Sequence, residues 1–393
     1  MAARSATPAR VLLTGAEHHY VVAAARALRR SGFRVTTAAS TRPALGHLSR
    51  AADTAVWLPD AHRDPEGHVD ALESVLRSRR HDVVVPGDEA SLLAIAAATD
   101  RLEQWTRLGL PSSMAVAASL DKIRQLEWAV EAGIRTPPTT VCHDEAEAVD
   151  AARSFGYPVV LKPRRSQVPA DEGLRLQRSI VVDDEAALRT TLPLVGTPFL
   201  VQCRIARGRV FSFPGVAADG TLLAFAFSRY RRTWPPGAGS ASFAETLAPP
   251  AELATKVLDF VRRAGHAGVF EIEFVGPDRD HLSLIDFNPR LYGSLSLAVA
   301  AGADLPTAWC RWLLGERRAP MVARAGFAYR WEEGELRNVL ERLGRRRFRA
   351  AAEIVRPRPR VTHALFRWDD PRPFVAQFGA LVTHRLRGAG RGR

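Results

Sequence analysis

Short apolar runs alternate with helical patterns over the first hundred residues. Arg10 to Leu13 is an apolar run that leads to a glycine, and a helical pattern follows from Tyr20 to Ser31. A second strand pattern starts at Phe33, and a third, Asp82 to Val85, opens through Pro-Gly-Asp-Glu into another helix. Strands that alternate with helices predict a parallel, doubly wound α/β sheet. Ligands of such sheets bind beyond the carboxyl ends of the strands.

A different pattern occurs near residue 280, where apolar and polar positions alternate on both sides of a polar turn. Alternation of this kind predicts two antiparallel strands joined by a hairpin. Residues two apart share a face of a strand, so Asp286 and Asn288 point the same way, and Glu273 can face them from the partner strand. Two carboxylates and an amide oxygen are ligands that suit Mg²⁺. Arg290 follows at the end of the strand, where an anion would bind.

Lysine is rare in this chain. Of its 55 basic residues only three are lysine: Lys122, Lys162 and Lys256. Arginine does not replace lysine where a compact charge must meet a phosphate, so each lysine is a candidate for function. Lys162 ends an apolar strand pattern and Lys122 begins a helix, whereas Lys256 lies on the solvated face of an amphipathic helix.

Composition bounds the class of protein. A length of 393 residues exceeds one core, so we expect two or three domains. No apolar run is long enough to span a bilayer, and the first residues lack the apolar segment of a secretory signal. Three cysteines far apart indicate reduced thiols and argue against a disulfide framework or a cysteine-type zinc site. These features together predict a cytoplasmic protein.

The net charge of +13 is concentrated partly in the arginine-rich C-terminal region. A basic surface of this kind can bind the phosphates of a nucleic acid. However, no nucleic-acid-binding motif is present and the aromatic residues are not interleaved with the basic ones. Composition therefore favours a general bias towards arginine over a nucleic-acid partner.

Five motifs follow one another along the chain, one of them an arginine-rich strand before a Pro-Pro-Gly-x-Gly-Ser loop. The motifs are Asp121-Lys122, Pro-Val-Val-Leu-Lys162-Pro, Phe-Leu-Val-Gln202-Cys-Arg-Ile205, Ser228-Arg229-Tyr-Arg231-Arg232 with its loop, and Glu273 with Asp286-Phe-Asn288-Pro-Arg290. In this order they resemble the ATP-grasp superfamily, and more closely its carboxylate–amine ligase branch. The resemblance covers roughly residues 10 to 316.

The resemblance implies a fold and a set of roles. It implies an N-terminal doubly wound α/β domain followed by a two-lobed ATP-grasp domain with mixed and antiparallel sheets. It also implies that the N-terminal domain forms one wall of the cleft, where Glu89 would meet a substrate amine unless it only caps its helix. The implied roles are ATP phosphate contacts for Lys122 and Lys162, the adenine hinge for Gln202, Cys203 and Ile205, Mg²⁺ ligation for Glu273, Asp286 and Asn288, and contact with the transferred phosphoryl group for Arg290 with Arg229 or Arg231.

The sequence departs from the family pattern at three positions. Cys203 stands where the hinge usually has a glutamate, Arg209 stands near the usual acidic ribose contact, and Asp286 stands where a metal-binding glutamate is usual. The adenine and ribose contacts therefore differ in detail from the family pattern. Two segments, 164–173 and 235–242, are the candidates for a lid over the site.

The predicted function is ATP-dependent joining of a carboxylate to an amine through an acyl-phosphate, with release of ADP and phosphate. ATP and Mg²⁺, with Mn²⁺ as an alternative, are the expected cofactors, and the partners are the two small-molecule substrates. A kinase, a carboxylase-like enzyme and a nucleotide-binding protein that catalyses no reaction remain alternative functions. A homodimer remains an alternative to a monomer. No motif encodes the substrate pair.

The predicted organisation has four parts: an N-terminal α/β domain (1–118), a small lobe (119–198), a large lobe with the Mg²⁺ site (199–316) and a C-terminal appendage (317–393). In the appendage, the spacing of Leu336, Val339, Leu340 and Leu343 predicts a helix from Glu332 to Leu343 with these residues on one face. The glycine- and arginine-rich tail from Gly388 is predicted to be disordered.

Overall fold

The N-terminal part of the chain forms a parallel sheet with helices on both faces. The computed structural model describes residues 8–169, 173–205, 208–237 and 239–389. The first elements are β1 (Arg10–Leu13), α1 (His19–Arg30), β2 (Arg34–Ala39), α2 (Leu45–Leu48), β3 (Thr54–Trp57), α3 (Pro65–Ser78), β4 (Val83–Val85), α4 (Glu89–Ala97), α5 (Thr99–Leu102) and α6 (Ser113–Ser119). The strand order is β3-β2-β1-β4, and all three pairs are parallel.

Both faces of this sheet are covered, which explains its continuous apolar strands. Leu13 packs with α1 on one face, while Leu12 packs with α3 and α4 on the other. The predicted doubly wound architecture is therefore confirmed. Asp88 caps α4 by accepting a hydrogen bond from the backbone N–H of Ser91 at 2.9 Å, so the adjacent Glu89 is free of the capping role.

A small antiparallel sheet follows. Its elements are α7 (Lys122–Glu131), β5 (Thr139–Cys142), α8 (Glu145–Phe155), β6 (Val159–Pro163), β7 (Gln167–Pro169), β8 (Leu174–Leu176), β9 (Ile180–Val182), α9 (Glu185–Thr191), a 3₁₀ turn (Leu192–Leu194) and β10 (Phe199–Cys203). The strand order is β5-β10-β6-β9, and α8 and α9 pack on one face. Strands β7 and β8 form a separate hairpin across the first predicted lid, of which residues 170–172 lie outside the described residues.

The large sheet is built on long antiparallel strands. Its elements are β11 (Arg209–Ala218), β12 (Thr221–Phe225), β13 (Ser228–Trp234), β14 (Ser240–Thr246), α10 (Leu253–Arg263), β15 (Gly268–Gly276), β16 (Ser283–Asn288), α11 (Leu295–Ala301) and α12 (Leu305–Leu313). One face packs its phenylalanines against α7 and α10. Each such ring contributes about 1.5–3 kcal/mol by burial, which holds the opposite, polar face in place. The second predicted lid is the β13–β14 turn, and Ala238 within it lies outside the described residues.

The C-terminal segment continues the large sheet. It contains β17 (Met321–Val322), β18 (Ala328–Arg330), α13 (Glu332–Gly344), α14 (Phe348–Val355), β19 (Val361–His363) and α15 (Arg372–Ala389). The main strand order is β16-β15-β11-β13-β14-β18-β19, and β12 links β11 to β17. The segment therefore shares the sheet of the predicted large lobe, although the four domain boundaries themselves stay a prediction.

A buried ion pair ties this segment to the N-terminal domain. Arg26 of α1 lies 2.9 Å from Asp370, and both side chains are less than a tenth exposed. Arg26 also donates to the Leu365 carbonyl, and Asp370 accepts from Ser49 and from the backbone N–H of Arg50. The segment that precedes α15 therefore has a structural role as a latch.

The helix predicted in the C-terminal segment is confirmed as α13. Its buried residues include Glu335 and Asn338, while Leu343 is exposed. Glu335 binds Arg232 and Ser242, so polar contacts to the β13–β14 hairpin decide which face is buried. Helix α15 continues through Ala389, so the predicted disorder is wrong at Gly388 and Ala389, and residues 390–393 of the predicted tail lie outside the described residues. No helix among the described residues is long and apolar enough to cross a membrane.

Candidate functional site

The polar face of the large sheet carries four acceptor side chains on two neighbouring strands. In the antiparallel pair β15–β16, Glu273 lies opposite Asp286 and Glu271 lies opposite Asn288. A bulge between Glu273 and Phe274 shifts the register by one residue, so that Phe274 lies opposite Leu284. The prediction that Glu273, Asp286 and Asn288 share one face is confirmed by this pairing.

The two predicted functional lysines reach this face from other elements. Lys122, the first residue of α7, places its Nζ 2.8 Å from Asp286 Oδ1. Lys162, at the end of β6, donates from Nζ to the Ile285 carbonyl of β16 at 2.7 Å. Both lysines are less than a tenth exposed. Lys256 instead lies on the exposed side of α10. The predicted difference in burial between Lys256 and the other two lysines is therefore confirmed.

The charged side chains in this cleft shift one another's pKa values. Burial, together with the neighbouring carboxylates Glu271 and Asp286, raises the pKa of Glu273 to about 8. Burial also acts on Asp286, but Lys122 and Lys162 outweigh it and hold the pKa of that carboxyl below its usual value. Burial lowers the pKa of Lys162 to about 8. The cleft is thus a desolvated site in which cationic and anionic groups face each other.

Glu271 belongs to the site and was missed from the sequence. Its Oε1 accepts hydrogen bonds from Ser212 Oγ at 2.6 Å and from the Tyr230 hydroxyl at 2.9 Å. The signal was available, since Glu271 and Glu273 are two apart in one strand and must share a face. The Glu271 partners Ser212 and Tyr230 come from β11 and β13. Hydrogen bonds between residues so far apart in the chain cannot be predicted from a local sequence pattern.

Arg290 and Glu89 meet where the large lobe faces the N-terminal domain. Arg290 Nε lies 3.9 Å from Glu89 Oε2, and its guanidinium also contacts Asn288 Oδ1 at 3.4 Å. Arg290 Nε and Glu89 Oε1 are buried without a hydrogen-bond partner among the described residues. Burial raises the pKa of Glu89. Buried groups without partners have unmet capacity to bind a ligand.

The contacts of Arg229 and Arg231 are with Glu245 and not with Glu273, Asp286 or Arg290. In the β11–β13 pair, Arg229 lies opposite Phe211, so it projects from the apolar face of the sheet rather than the face that carries Glu273. Both arginines pair with Glu245, Arg229 at 2.5 Å and Arg231 at 2.7 Å. The role predicted for Arg229 or Arg231 at the phosphoryl group therefore gains no support from these contacts and stays a prediction.

The predicted adenine hinge connects the two sheets. Leu200 pairs with Lys162, so Gln202, two residues on, shares the face of the small sheet that is turned towards β16. The Gln202 side chain is buried and donates to Thr139 Oγ1 at 2.9 Å. Cys203 is partly exposed at the end of β10, whereas Cys142 and Cys310 are buried.

The rest of the hinge is only partly described. The Ile205 carbonyl accepts from the Gly208 N–H at 3.2 Å, and residues 206–207 lie outside the described residues. The nucleotide contacts assigned to Gln202, Cys203 and Ile205 stay predictions.

The donor set fits Mg²⁺ when phosphates complete the shell. Within the described ranges, no group of three or more His, Cys, Asp and Glu side chains lies close enough to hold a metal ion. Glu273, Asp286 and Asn288 supply two carboxylates and one amide oxygen on one face. Mg²⁺ is usually held by one or two carboxylates together with substrate phosphates, so this set suits a metal that arrives with a nucleotide.

Comparison with known sequences gives short matches. No family model matches the chain. Over 98 residues it is 33% identical to the formate-dependent phosphoribosylglycinamide formyltransferase of Ignicoccus hospitalis, a match to 25% of this chain and 24% of that protein. Over 137 residues it is 34% identical to the enzyme of the same name from Synechococcus sp., covering 35% and 32%. The chain thus matches only a quarter to a third of the length of these curated relatives.

Solved structures match over most of the chain. The N5-carboxyaminoimidazole synthetase of Staphylococcus aureus superposes with a TM-score of 0.62 at 14% identity, covering 81% of this chain and 80% of that one. The biotin carboxylase domain of Hydrogenobacter thermophilus 2-oxoglutarate carboxylase, solved with MgADP and bicarbonate, gives 0.61 at 18%, covering 81% and 73%. The L-amino acid ligase of Bacillus licheniformis gives 0.59 at 17%, covering 79% and 75%. At identities below 25% these likenesses concern the fold, and the chain has the ATP-grasp fold of these neighbours.

Proposed function

We propose that the chain is an ATP-dependent ligase that forms a C–N bond between a carboxylate and an amine. The observation that carries the proposal is the convergence of Lys122, Lys162, Glu273 and Asp286 in one buried cleft between the two sheets. Phosphoryl transfer depends on positioning and charge neutralisation, and this cleft presents fixed charges of both signs. The L-amino acid ligase among the structural neighbours supports a C–N bond as the product.

Each residue has a role in the proposed reaction. Lys122 and Lys162 bind the ATP phosphates. Glu273, Asp286 and Asn288 would hold Mg²⁺, which neutralises charge on the phosphates when it is bound. These residues supply binding and orientation, and no protein nucleophile is needed.

The chemistry proceeds in two balanced steps. A substrate carboxylate oxygen attacks the γ-phosphorus of ATP, the bond to ADP breaks, and an acyl-phosphate forms. The amine nitrogen then attacks the acyl carbon, inorganic phosphate leaves, and the nitrogen loses a proton. Arg290 stabilises the charge on the phosphoryl group. Glu89, which is buried beside Arg290 with an unpaired oxygen, accepts a hydrogen bond from the amine.

The acyl-phosphate must be kept from water. The β7–β8 hairpin is suited to this task because it starts from the floor of the cleft. Arg164, just before the hairpin, bonds Asp121 at 2.6 Å, and its carbonyl accepts the backbone N–H of Lys122 at 2.9 Å. Movement of the hairpin would therefore act directly on the start of α7.

The test is ADP release with Mg-ATP against a panel of amino acids, dipeptides and small carboxylates, offered singly and in pairs. The proposal predicts ADP only with a pair, and a product whose mass equals acid plus amine minus water. A phosphorylated product from a single substrate would instead indicate a kinase. Mg-ATP that binds tightly without turnover with any pair would contradict the ligase assignment.

A further inference from the structure

A cavity of about 180 Å³ opens at the carboxyl ends of the four parallel strands. We call it the wall pocket. For scale, a cavity of about 150 Å³ accepts a molecule the size of benzene, so the wall pocket takes a group of side-chain size. The lining residues that matter here are Glu17, Thr41, Asp60, His68 and Asp88.

Three carboxylates line the wall pocket without a cationic partner. Glu17 accepts from Ser40 and from the backbone N–H of Thr41, and Asp60 accepts from the backbone N–H of His62. Asp88 accepts from Ser91 as the cap of α4. None of the three carboxylates forms an ion pair within the described part of the chain, and no lysine or arginine lines the cavity. In a chain with 55 basic residues, this leaves a concentrated region of negative charge.

His68 gives an independent sign that a hydrogen-bond partner is missing. Its Nδ1 lies 2.8 Å from the Pro59 carbonyl, which can only accept, so Nδ1 carries a proton and donates. His68 is only 4% exposed, and its Nε2 has no hydrogen-bond partner among the described residues. A buried ring nitrogen without a partner, on a residue that lines the cavity, has unmet capacity to bind a ligand.

The wall pocket lies near the site described above. Burial lowers the pKa of His18, which lines the pocket, and the guanidinium of Arg290 is close enough to act on the ring in the same direction. Asp88 of the pocket precedes Glu89, which lies beside Arg290. The nitrogen that attacks an acyl-phosphate must be unprotonated, so the carboxylates of the wall pocket do not suit the reacting nitrogen itself. They suit a second group on the same molecule that keeps its proton. A phosphate ester would be repelled by the same carboxylates.

We propose that the wall pocket binds a protonated amino or guanidino group carried by the amine substrate, apart from its reacting nitrogen. The inference rests on the proposed function, and it makes the amine substrate a diamine or a similar dibasic compound. Charge-assisted hydrogen bonds to Asp60 and Glu17 would hold the cationic end, and the other nitrogen would reach Glu89 and the acyl group.

Binding to the full-length protein without ATP tests the inference. Isothermal titration calorimetry would compare 1,4-diaminobutane and agmatine with the neutral 1,4-butanediol and with ribose 5-phosphate. The two cations are expected to bind at least about tenfold more tightly than the diol. Ribose 5-phosphate is expected not to bind. No measurable binding of either cation, or preferential binding of the phosphate ester, would overturn the inference.

Two variants locate the binding. Asp60→Asn keeps an acceptor for the His62 N–H and removes one charge, while Thr41→Lys places a cation at the exposed rim. Each is expected to weaken binding of the cations at least about tenfold. Glu66→Gln, an exposed carboxylate of α3 outside the pocket, is the matched control and should leave binding unchanged. Binding of the cations that neither pocket variant alters would also reject the inference.

This design separates the inference from the proposed function. Binding of the cations in the wall pocket, together with no ADP release for any acid–amine pair, would refute the ligase assignment alone. ADP release with a phosphorylated amine, together with no binding of the cations, would refute the wall-pocket inference alone.

Discussion

Replacing Lys162 with methionine is expected to stabilise the protein while weakening nucleotide binding. Lys162 is 7% exposed, and burial lowers its pKa from 10.5 to about 8. A lowering of this size means that the folded protein loses about 3 kcal/mol by keeping the amine protonated at neutral pH. The lost hydrogen bond to the Ile285 carbonyl offsets about 1 kcal/mol of this. The expected net gain in the free energy of unfolding is therefore about 2 kcal/mol.

The gain depends on pH in a defined direction. Because the pKa of Lys162 is lower in the folded state, the folded protein releases this proton first as the pH rises. The stabilisation by Lys162→Met should be full below about pH 8 and should shrink between about pH 8 and 10.5. Urea unfolding of wild type and variant at the two ends of this window measures it. Lys256→Met, which removes an exposed lysine from α10, should change little at either pH.

Nucleotide affinity is the second half of the same prediction. A hydrogen bond to a charged group contributes about 1.5–3 kcal/mol, so the Kd of Mg-ATP should rise at least about tenfold in Lys162→Met. Stabilisation together with lost affinity is the signature of a residue kept for function at a cost in stability. A variant that is less stable than wild type and binds Mg-ATP equally well would show that Lys162 is a structural residue and would refute the reasoning.

Three further predictions address other parts of the molecule. Asp286→Asn should lower Mg²⁺-dependent turnover by about a hundredfold or more with an unchanged circular dichroism spectrum; full activity in this variant would remove Asp286 from the metal site. Asp370→Ala should lower the free energy of unfolding in urea by about 3–5 kcal/mol, because it leaves a buried arginine unpaired. The neighbouring Asp369→Ala, at an exposed ion pair, should lower it by less than about 1 kcal/mol. Equal losses in the two variants would refute the role of the Arg26–Asp370 pair as a latch. Cys203 should be the thiol that iodoacetamide alkylates fastest in the native protein, and Mg-ATP should slow this alkylation; a rate that ATP does not change would argue against the hinge.

Local patterns predicted the parts of the site that lie on single elements. Alternation along the chain placed Asp286 and Asn288 on one face, and the β15–β16 hairpin then brought Glu273 opposite Asp286 as expected. Lys122 was predictable as a helix start because Asp121 before it is a capping residue. These features follow from rules that act over a few residues.

Features that depend on pairing between distant strands were not predictable. Arg229 follows the family motif in sequence, but the register of β13 on β11 turns it to the apolar face. The leucine spacing predicted helix α13 itself, but the contacts of Glu335 with Arg232 and Ser242 decide which of its faces is buried. In both cases tertiary contacts between distant residues decide the outcome.

The wall pocket shows the same limit. Glu17, Asp60 and Asp88 are far apart in the chain and follow different strands of the parallel sheet. The rule that ligands bind at the carboxyl ends of such strands gave the region correctly. It could not give the sign of the charge there, because that depends on which loops meet.

The central claim is that a substrate carboxylate is activated by phosphorylation, and the fate of its oxygen tests this most directly. The measurement uses the acid of the productive pair labelled with ¹⁸O in its carboxylate, with mass analysis of the released phosphate and the product. The account predicts that one labelled oxygen is transferred to inorganic phosphate and that the other stays in the amide. Phosphate that carries no label, with ADP still released, would contradict the account.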